Sequence, residues 1–135
     1  MPSRPATDRM GVVMEADSPS PAPTTTVAED AVIVRIVGDV DMANSDDLRE
    51  HCVDLLDDGA DALVLDLSEV SFFASSGIAA LGHIRTHNAS LRQRPVHVVA
   101  SRSVRRSLQV TAMDKLLPLH DTLDDALTAV RAAAN

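Results

Sequence analysis

Aromatic residues are almost missing from this sequence of 135 residues: it has no tryptophan or tyrosine, and its two phenylalanines are the neighbours Phe72 and Phe73. Because 45% of the residues are hydrophobic, a core can still form, but its side chains must be mainly aliphatic. Cys52 is the only cysteine, which excludes an intrachain disulfide. The sequence therefore lacks the cysteine framework of a small secreted protein.

Basic residues and long apolar runs are also scarce. The chain has 12 lysines and arginines against 20 aspartates and glutamates, for a formal net charge of −8. This balance argues against nucleic acid as the main partner, because a phosphate backbone needs a basic face. No apolar run approaches the roughly 20 residues of a membrane span, and the N-terminus has no apolar signal core. We therefore expect a cytoplasmic protein that binds neither nucleic acid nor a membrane.

Composition divides the chain into a tail and one domain. Residues 1–23 are rich in proline, serine, alanine and threonine, and such a stretch buries too little apolar surface to offset the entropy lost on ordering. We expect a flexible tail there. From residue 24 the pattern becomes periodic, and residues 24–131 are predicted to form a single domain.

Strand and helix patterns alternate along this domain. Two β-branched runs on either side of the acidic turn 28–30 predict a β-hairpin. Three further apolar runs predict strands, namely ALVLDL, VHVVA and LLPL. Helical periodicity lies between them, with N-cap candidates at Asn44 or Ser45, at Ser101 or Ser103, and at Thr122. The alternation predicts an α/β domain with a mostly parallel or mixed sheet, whose functional edge lies where strands turn into helices.

The step Ser75-Ser76-Gly77 lies at such a turn and has two interpretations. In the first, one serine caps the following helix and Gly77 permits a tight bend. In the second, a serine is phosphorylated, which adds about −1.5 to −2 charges and three acceptor oxygens. A helix N-terminus tolerates a phosphate, whereas an apolar or acidic partner surface docked over it does not. The residues alone leave both interpretations open.

Three segments in order resemble a known family: Gly38-Asp39-Val40-Asp41, the stretch from Asp66 to Phe72, and Ser75-Ser76-Gly77. Together they resemble a STAS domain of the anti-sigma factor antagonist type, over about residues 24–131. The resemblance implies a single STAS-like α/β domain with a four- to five-stranded mixed sheet covered by helices. It also implies no catalytic activity, and we expect no cofactor.

The resemblance further implies a function in protein binding. Members of the family bind an anti-sigma factor, commonly a GHKL-type serine kinase, and so release a sigma factor. The kinase phosphorylates the first serine of the turn, which abolishes binding, and a phosphatase restores it. Carried over to this sequence, Ser75 is the phosphorylation site, and the partner-binding residues are Asp39, Asp41, Ser75, Ser76 and Gly77.

Ala74 departs from the family pattern, which usually has aspartate before the two serines. Loss of that carboxylate removes a charge beside the accepting hydroxyl. Ser75 is then either a poorer kinase substrate or a binding residue without a phosphate switch; alternatively, a phosphoserine there meets less repulsion. The acidic segment 39–61, in which Arg49 is the one base, is either a solvated helix face or a surface that steers a basic partner into contact.

Other functions fit the sequence less well. One alternative is a STAS module that senses a small ligand or nucleotide, or serves as a scaffold, without phosphorylation. A serine hydrolase with His97 or His120 as its base is disfavoured, because a nucleophile elbow needs glycine where Phe73 stands.

A metal site and a reactive thiol are also disfavoured. His83 and His87 lie four apart on a predicted helix, but on a face away from its apolar stripe, which favours solvated side chains over a metal site. Cys52 belongs to an apolar helical stripe, which predicts a buried and inert thiol.

Overall fold

The computed structural model describes residues 23–28, 31–91 and 94–134. The predicted tail, residues 1–23, lies almost entirely outside these ranges and stays a prediction. The strands are β1 (Thr24–Val27), β2 (Val32–Val40), β3 (Leu63–Phe73), β4 (His97–Ala100) and β5 (Leu119–His120). The helices are α1 (Ser45–Asp57), α2 (Ser75–Leu91), α3 (Arg102–Val110) and α4 (Leu123–Ala134), with a 3-10 turn at Met113–Lys115.

The five strands form one mixed sheet in the order β1-β2-β3-β4-β5. β1 pairs with β2 antiparallel, as the predicted hairpin requires, and all other pairs are parallel. Because each parallel strand is added on the same side of the last one, right-handed crossovers place α1, α2 and α3 on one face of the sheet. α4 follows β5 and covers part of the opposite face. The predicted α/β class and mixed sheet are confirmed.

Alternation along β2 supplies a core on each face. Val34, Ile36 and Val40 are buried against the three-helix side, while Ile33 belongs to a smaller cluster with Ala126 and other residues beneath α4. Both clusters are almost entirely aliphatic, as the composition predicts. Among the described residues, no helix is both long and apolar enough to cross a membrane.

Some element boundaries differ from the sequence prediction. The run ALVLDL, apart from its first residue Ala62, is only the first part of β3, which continues to Phe73 because register shifts against β2 maintain the pairing through polar residues. The predicted final strand LLPL contributes only its last residue, to the two-residue strand β5. α3 ends at Val110 because Ala112, with φ 63°, has left-handed backbone conformation.

Candidate functional site

The ends of β2 and β3 lie side by side at the carboxyl edge of the sheet. Asp39 pairs with Phe72 and Val40 with Phe73, and the backbone N–H of Ala74 donates to the carbonyl of Val40 at 2.9 Å. Since α2 begins directly afterwards, the structure brings the GDVD segment and the Ser-Ser-Gly step to one edge, where parallel α/β sheets commonly carry their sites.

The two serines differ in accessibility. The side chain of Ser75 is exposed, whereas the hydroxyl oxygen of Ser76 is buried and has no hydrogen-bond partner among the described residues. Solvent therefore reaches the side chain of Ser75 but not the hydroxyl oxygen of Ser76. This difference was not readable from the sequence, in which the two residues are adjacent and identical.

The serine-cap interpretation of this step is wrong. α2 begins at Ser75, and the residue before it, Ala74, holds the N-cap position, because its carbonyl accepts from the N–H groups of Gly77 (2.9 Å) and Ile78 (3.2 Å). The methyl group of Ala74 cannot accept a hydrogen bond, and the first turn of α2 contains no acidic residue. The helix thus presents its N-terminal N–H groups and the positive end of its dipole without an anionic side chain of its own.

Gly77 is required for space, not for a tight bend. A Cβ atom there would lie 3.0 Å from Cε1 of Phe73 and 3.0 Å from Cγ1 of Val40. The absence of a side chain thus lets the first turn of α2 lie directly on the ends of β2 and β3. Gly38, by contrast, is needed for its backbone conformation. Its φ of 95°, which favours glycine, coincides with the register shift before Asp39.

Asn44 holds the strand-to-helix turn that carries Asp39 and Asp41. Its Nδ2 donates to the carbonyl of Asp39 at 2.9 Å, and its Oδ1 accepts from the backbone N–H of Asp41 at 3.0 Å. The carboxylate of Asp41 accepts from the N–H of Ala43 at 2.9 Å. Asn44 takes the N-cap position of α1, as expected, but its side chain makes no cap hydrogen bond. The sequence did not predict that Asn44 links the end of β2 to the start of α1, because asparagine at such a position usually indicates a helix cap.

Two large apolar side chains are exposed beside these carboxylates. Phe72, the register partner of Asp39, is 56% exposed, and Met42, in the turn after Asp41, is 84% exposed. Apolar groups with a charged rim are typical of protein contact surfaces. This patch could not be predicted from the pair Phe72-Phe73 in the sequence, because only the register of β3 decides which ring faces solvent.

The profile of the family described as STAS domain matches residues 22–126. The chain belongs to the STAS domain family. It is 36% identical over 111 residues to the anti-sigma-F factor antagonist RsfB of Mycobacterium tuberculosis (strain ATCC 25618 / H37Rv), with 80% of this chain and 89% of RsfB covered. The resemblance carried by the three segments is thereby confirmed.

Solved structures share the architecture of this STAS domain. An anti-sigma factor antagonist from Mycobacterium paratuberculosis superposes with a TM-score of 0.75 at 34% identity, covering 83% of this chain and 95% of that one. The Bacillus cell fate determinant SpoIIAA in its phosphorylated form superposes with a TM-score of 0.57 at 22% identity, covering 81% of this chain and 99% of that one. The second likeness is one of fold.

The histidines of this STAS domain do not assemble a hydrolase site with Ser75. His97 pairs in register with Val64 near the start of β3, whereas Ser75 follows the end of that strand, which lies roughly 30 Å further along it. His120 contacts His97, with 2.9 Å between the ring nitrogens. The structure thus separates Ser75 from both histidines that were candidates for its general base.

Neither the histidine pair of α2 nor the cysteine forms a reactive centre. His83 is exposed, and His87 instead contacts the carboxylate of Asp57 at 2.7 Å. The described residues include no group of three or more histidine, cysteine, aspartate or glutamate side chains placed to hold a metal ion. Cys52 is fully buried in the three-helix core, and burial raises the pKa of its thiol to about 12. The prediction of a buried thiol is confirmed.

Proposed function

We propose that this STAS protein is an anti-sigma factor antagonist, which binds an anti-sigma factor through the carboxyl edge of its sheet and so releases a sigma factor for transcription. The observation that carries the proposal is the exposed Ser75 at the start of α2, where no side chain caps the helix, at the same edge as Asp39 and Phe72. Similarity to RsfB and to the M. paratuberculosis protein, both named as such antagonists, supports it.

The surface around Ser75 favours a partner of complementary charge. Asp39 is exposed, Asp46 and Asp47 occupy the exposed first turn of α1, and the chain as a whole carries a formal net charge of −8. The exposed Phe72 and Met42 add apolar area. A partner face with arginine or lysine around an apolar centre therefore fits this edge, and long-range attraction would speed its association.

Binding is switched off by phosphorylation of Ser75. The partner is a GHKL-type serine kinase that transfers the γ-phosphoryl group of ATP to the hydroxyl oxygen of Ser75, with release of ADP and the hydroxyl proton, and a phosphatase reverses the step. The fold tolerates the phosphate because the first turn of α2 offers N–H donors and no acidic residue. The docked partner does not tolerate it, since the modified residue lies in the contact.

The test is binding of the purified chain to GHKL-type anti-sigma factors of the same organism, measured by calorimetry for four proteins. Wild type and Ser75→Ala are expected to bind, and Ser75→Glu to bind at least about tenfold more weakly, because the added charge is buried at the interface. Ala89→Glu is the matched control, since it adds the same charge to an exposed position of α2 roughly 20 Å along the helix. Incubation of wild type with the kinase and ATP should add one phosphoryl group, and Ser75→Ala should gain none.

Each result decides one part of the proposal. Equal binding by Ser75→Glu and wild type would contradict the switch and leave an antagonist without it. Failure to bind every such anti-sigma factor would overturn the antagonist role and favour ligand sensing or scaffolding by the STAS domain.

A further inference from the structure

A cleft of about 300 Å³ separates the N-terminal halves of α1 and α2. Arg49 lines it from α1, and Ser76, Ala79 and His83 line it from α2. Ser75 does not itself line the cleft, but it directly precedes Ser76 and lies one helical turn before Ala79, so its side chain is next to the residues that do. A group attached to Ser75 therefore has open space beside it on the side of Arg49.

The guanidinium of Arg49 makes only long contacts with neighbouring carboxylates. Its Nη1 lies 3.5 Å from Oδ1 of Asp46, and its Nη2 lies 3.4 Å from Oε2 of Glu50. Both separations exceed the roughly 2.7–2.9 Å of a strong charge-assisted hydrogen bond. Because Asp46 belongs to the first turn of α1, its contact turns the guanidinium toward the end of the cleft where both helices begin.

We propose that Arg49 binds the phosphate of phosphorylated Ser75, giving up its contact with Asp46. The inference rests on the proposed function, in that Ser75 carries the phosphate. A phosphate offers three strong acceptors in the geometry that a guanidinium recognises, so the new contact is stronger than the contact with Asp46 that it replaces. With no acidic residue in the first turn of α2 and alanine at position 74, nothing on that helix competes for the arginine. Arg49 thus binds the phosphate directly and fixes its position in the phosphorylated protein.

Four other charged or titratable groups surround the phosphate position. Asp46 on α1 repels a phosphate and competes for Arg49, and Asp39 and Asp41 at the end of β2 add negative charge. His83 lines the same cleft, but it lies eight residues beyond Ser75, roughly 12 Å along the helix. Among the residues that line the cleft, Arg49 is the one arginine or lysine and is placed to lower the second pKa of the phosphoserine, and Asp46 is the one acid and is placed to raise it.

The test uses the full chain with phosphoserine incorporated at position 75 during translation, so that no kinase is needed. Phosphorus NMR then follows the second pKa of the phosphoserine, which is ordinarily about 6. Arg49→Gln is expected to raise this pKa by about half a unit, as for a partly exposed ion pair. Asp46→Asn is expected to lower it, because a competing carboxylate is removed. Arg85→Gln is the matched control for lost charge: Arg85 lies on α2, where its Nε donates to the carbonyl of Leu116.

The proposal stands if Arg49→Gln raises the phosphoserine pKa and Arg85→Gln does not. It is overturned if the two variants shift the pKa equally, or if Asp46→Asn leaves it unchanged or raised. The melting temperatures of the unphosphorylated variants check that each is folded. An anti-sigma factor that ignored Ser75→Glu would contradict the proposed function, yet it would leave this measurement unaffected.

Discussion

The imidazole rings of His97 and His120 stack on each other, with ring centroids 5.1 Å apart and 2.9 Å between Nδ1 of His97 and Nε2 of His120. His97 opens β4 and is only 6% exposed, and His120 closes β5, which has just two residues. The pair thus joins the short edge strand to the body of the sheet. Burial, with the neighbouring His120 as a second cause, lowers the pKa of His97 below its ordinary value of 6.5.

This pair makes stability depend on pH. The unfolded chain binds a proton at His97 near pH 6.5, while the folded chain resists it, so the free energy of unfolding falls as pH drops below about 6.5 until the folded pKa is reached. Between those two values the slope attributable to His97 is at most about 1.4 kcal/mol per pH unit. Urea denaturation at several values from about pH 7.5 downward measures it.

Substitution of His97 separates its contribution from that of the other ionisable groups. His97→Gln is expected to give a flatter dependence on pH below about 6.5 than wild type. His83→Gln, which changes an exposed histidine, should keep the wild-type slope. Identical slopes for all three proteins would show that His97 is not responsible.

Gly77 and Gly82 lie on the same helix and are expected to respond in opposite directions to alanine. At Gly77 the new Cβ meets the ring of Phe73 and a methyl of Val40 at 3.0 Å, and overpacking of this kind costs about 1–3 kcal/mol, more than the gain in helix propensity. At Gly82 the nearest atom is the flexible end of Met113 at 3.8 Å, so the gain of up to about 1 kcal/mol in propensity remains. Urea denaturation should therefore show Gly77→Ala below wild type and Gly82→Ala above it. A stabilised Gly77→Ala would contradict the packing argument.

Asn44→Ala should destabilise the protein and disturb the proposed contact surface. It leaves the carbonyl of Asp39 and the N–H of Asp41 without their side-chain partner, at a cost of about 1–3 kcal/mol. Asn88→Ala is the matched control: Asn88 is equally buried, and its Nδ2 donates to the carbonyl of Arg94 at 2.7 Å. Both variants should lose stability, but only Asn44→Ala should shift the amide NMR signals of Asp39 and Asp41. Unchanged signals in that variant would mean that Asn44 does not hold the turn.

The thiol of Cys52 should be unreactive toward disulfide reagents in the folded protein. Its thiol is fully buried and its pKa is raised to about 12, so almost no thiolate is available to attack a disulfide reagent. A chromogenic disulfide such as DTNB should react with the native protein only as fast as the protein unfolds, and at once in concentrated urea. Rapid reaction of the native form would show that the thiol is accessible.

Much of the fold followed from local patterns. Alternating β-branched runs predicted the hairpin, and Ser101 and Thr122 cap their helices as expected, accepting from Val104 and Asp125 respectively. Such signals lie within one turn or one strand, so the chain alone contains them. The extent of β3 was not predictable in this way. Its second half pairs through shifted registers with β2, and a register depends on the partner strand.

The motif predicted where the candidate site lies, but not the contacts that build it. The motif placed Ser75 at a helix start, which the structure confirms. The other details concern contacts between segments that are distant in sequence: Phe73 and Val40 demand glycine at position 77, and Asn44 reaches back to Asp39. No periodicity within one segment records these contacts.

The sequence by itself determined the class of fold, the order of strands and helices and the position of the serine step, because hydrophobic periodicity and capping act over a few residues. Tertiary structure alone decided that the ring of Phe73 is buried while that of Phe72 faces solvent, and that the side chain of Ser75 is exposed while the hydroxyl oxygen of Ser76 is buried. The physical reason is that a side chain is buried only when a second surface packs against it. Which of two adjacent residues is covered depends on the register and packing of elements that the chain brings together only when it folds.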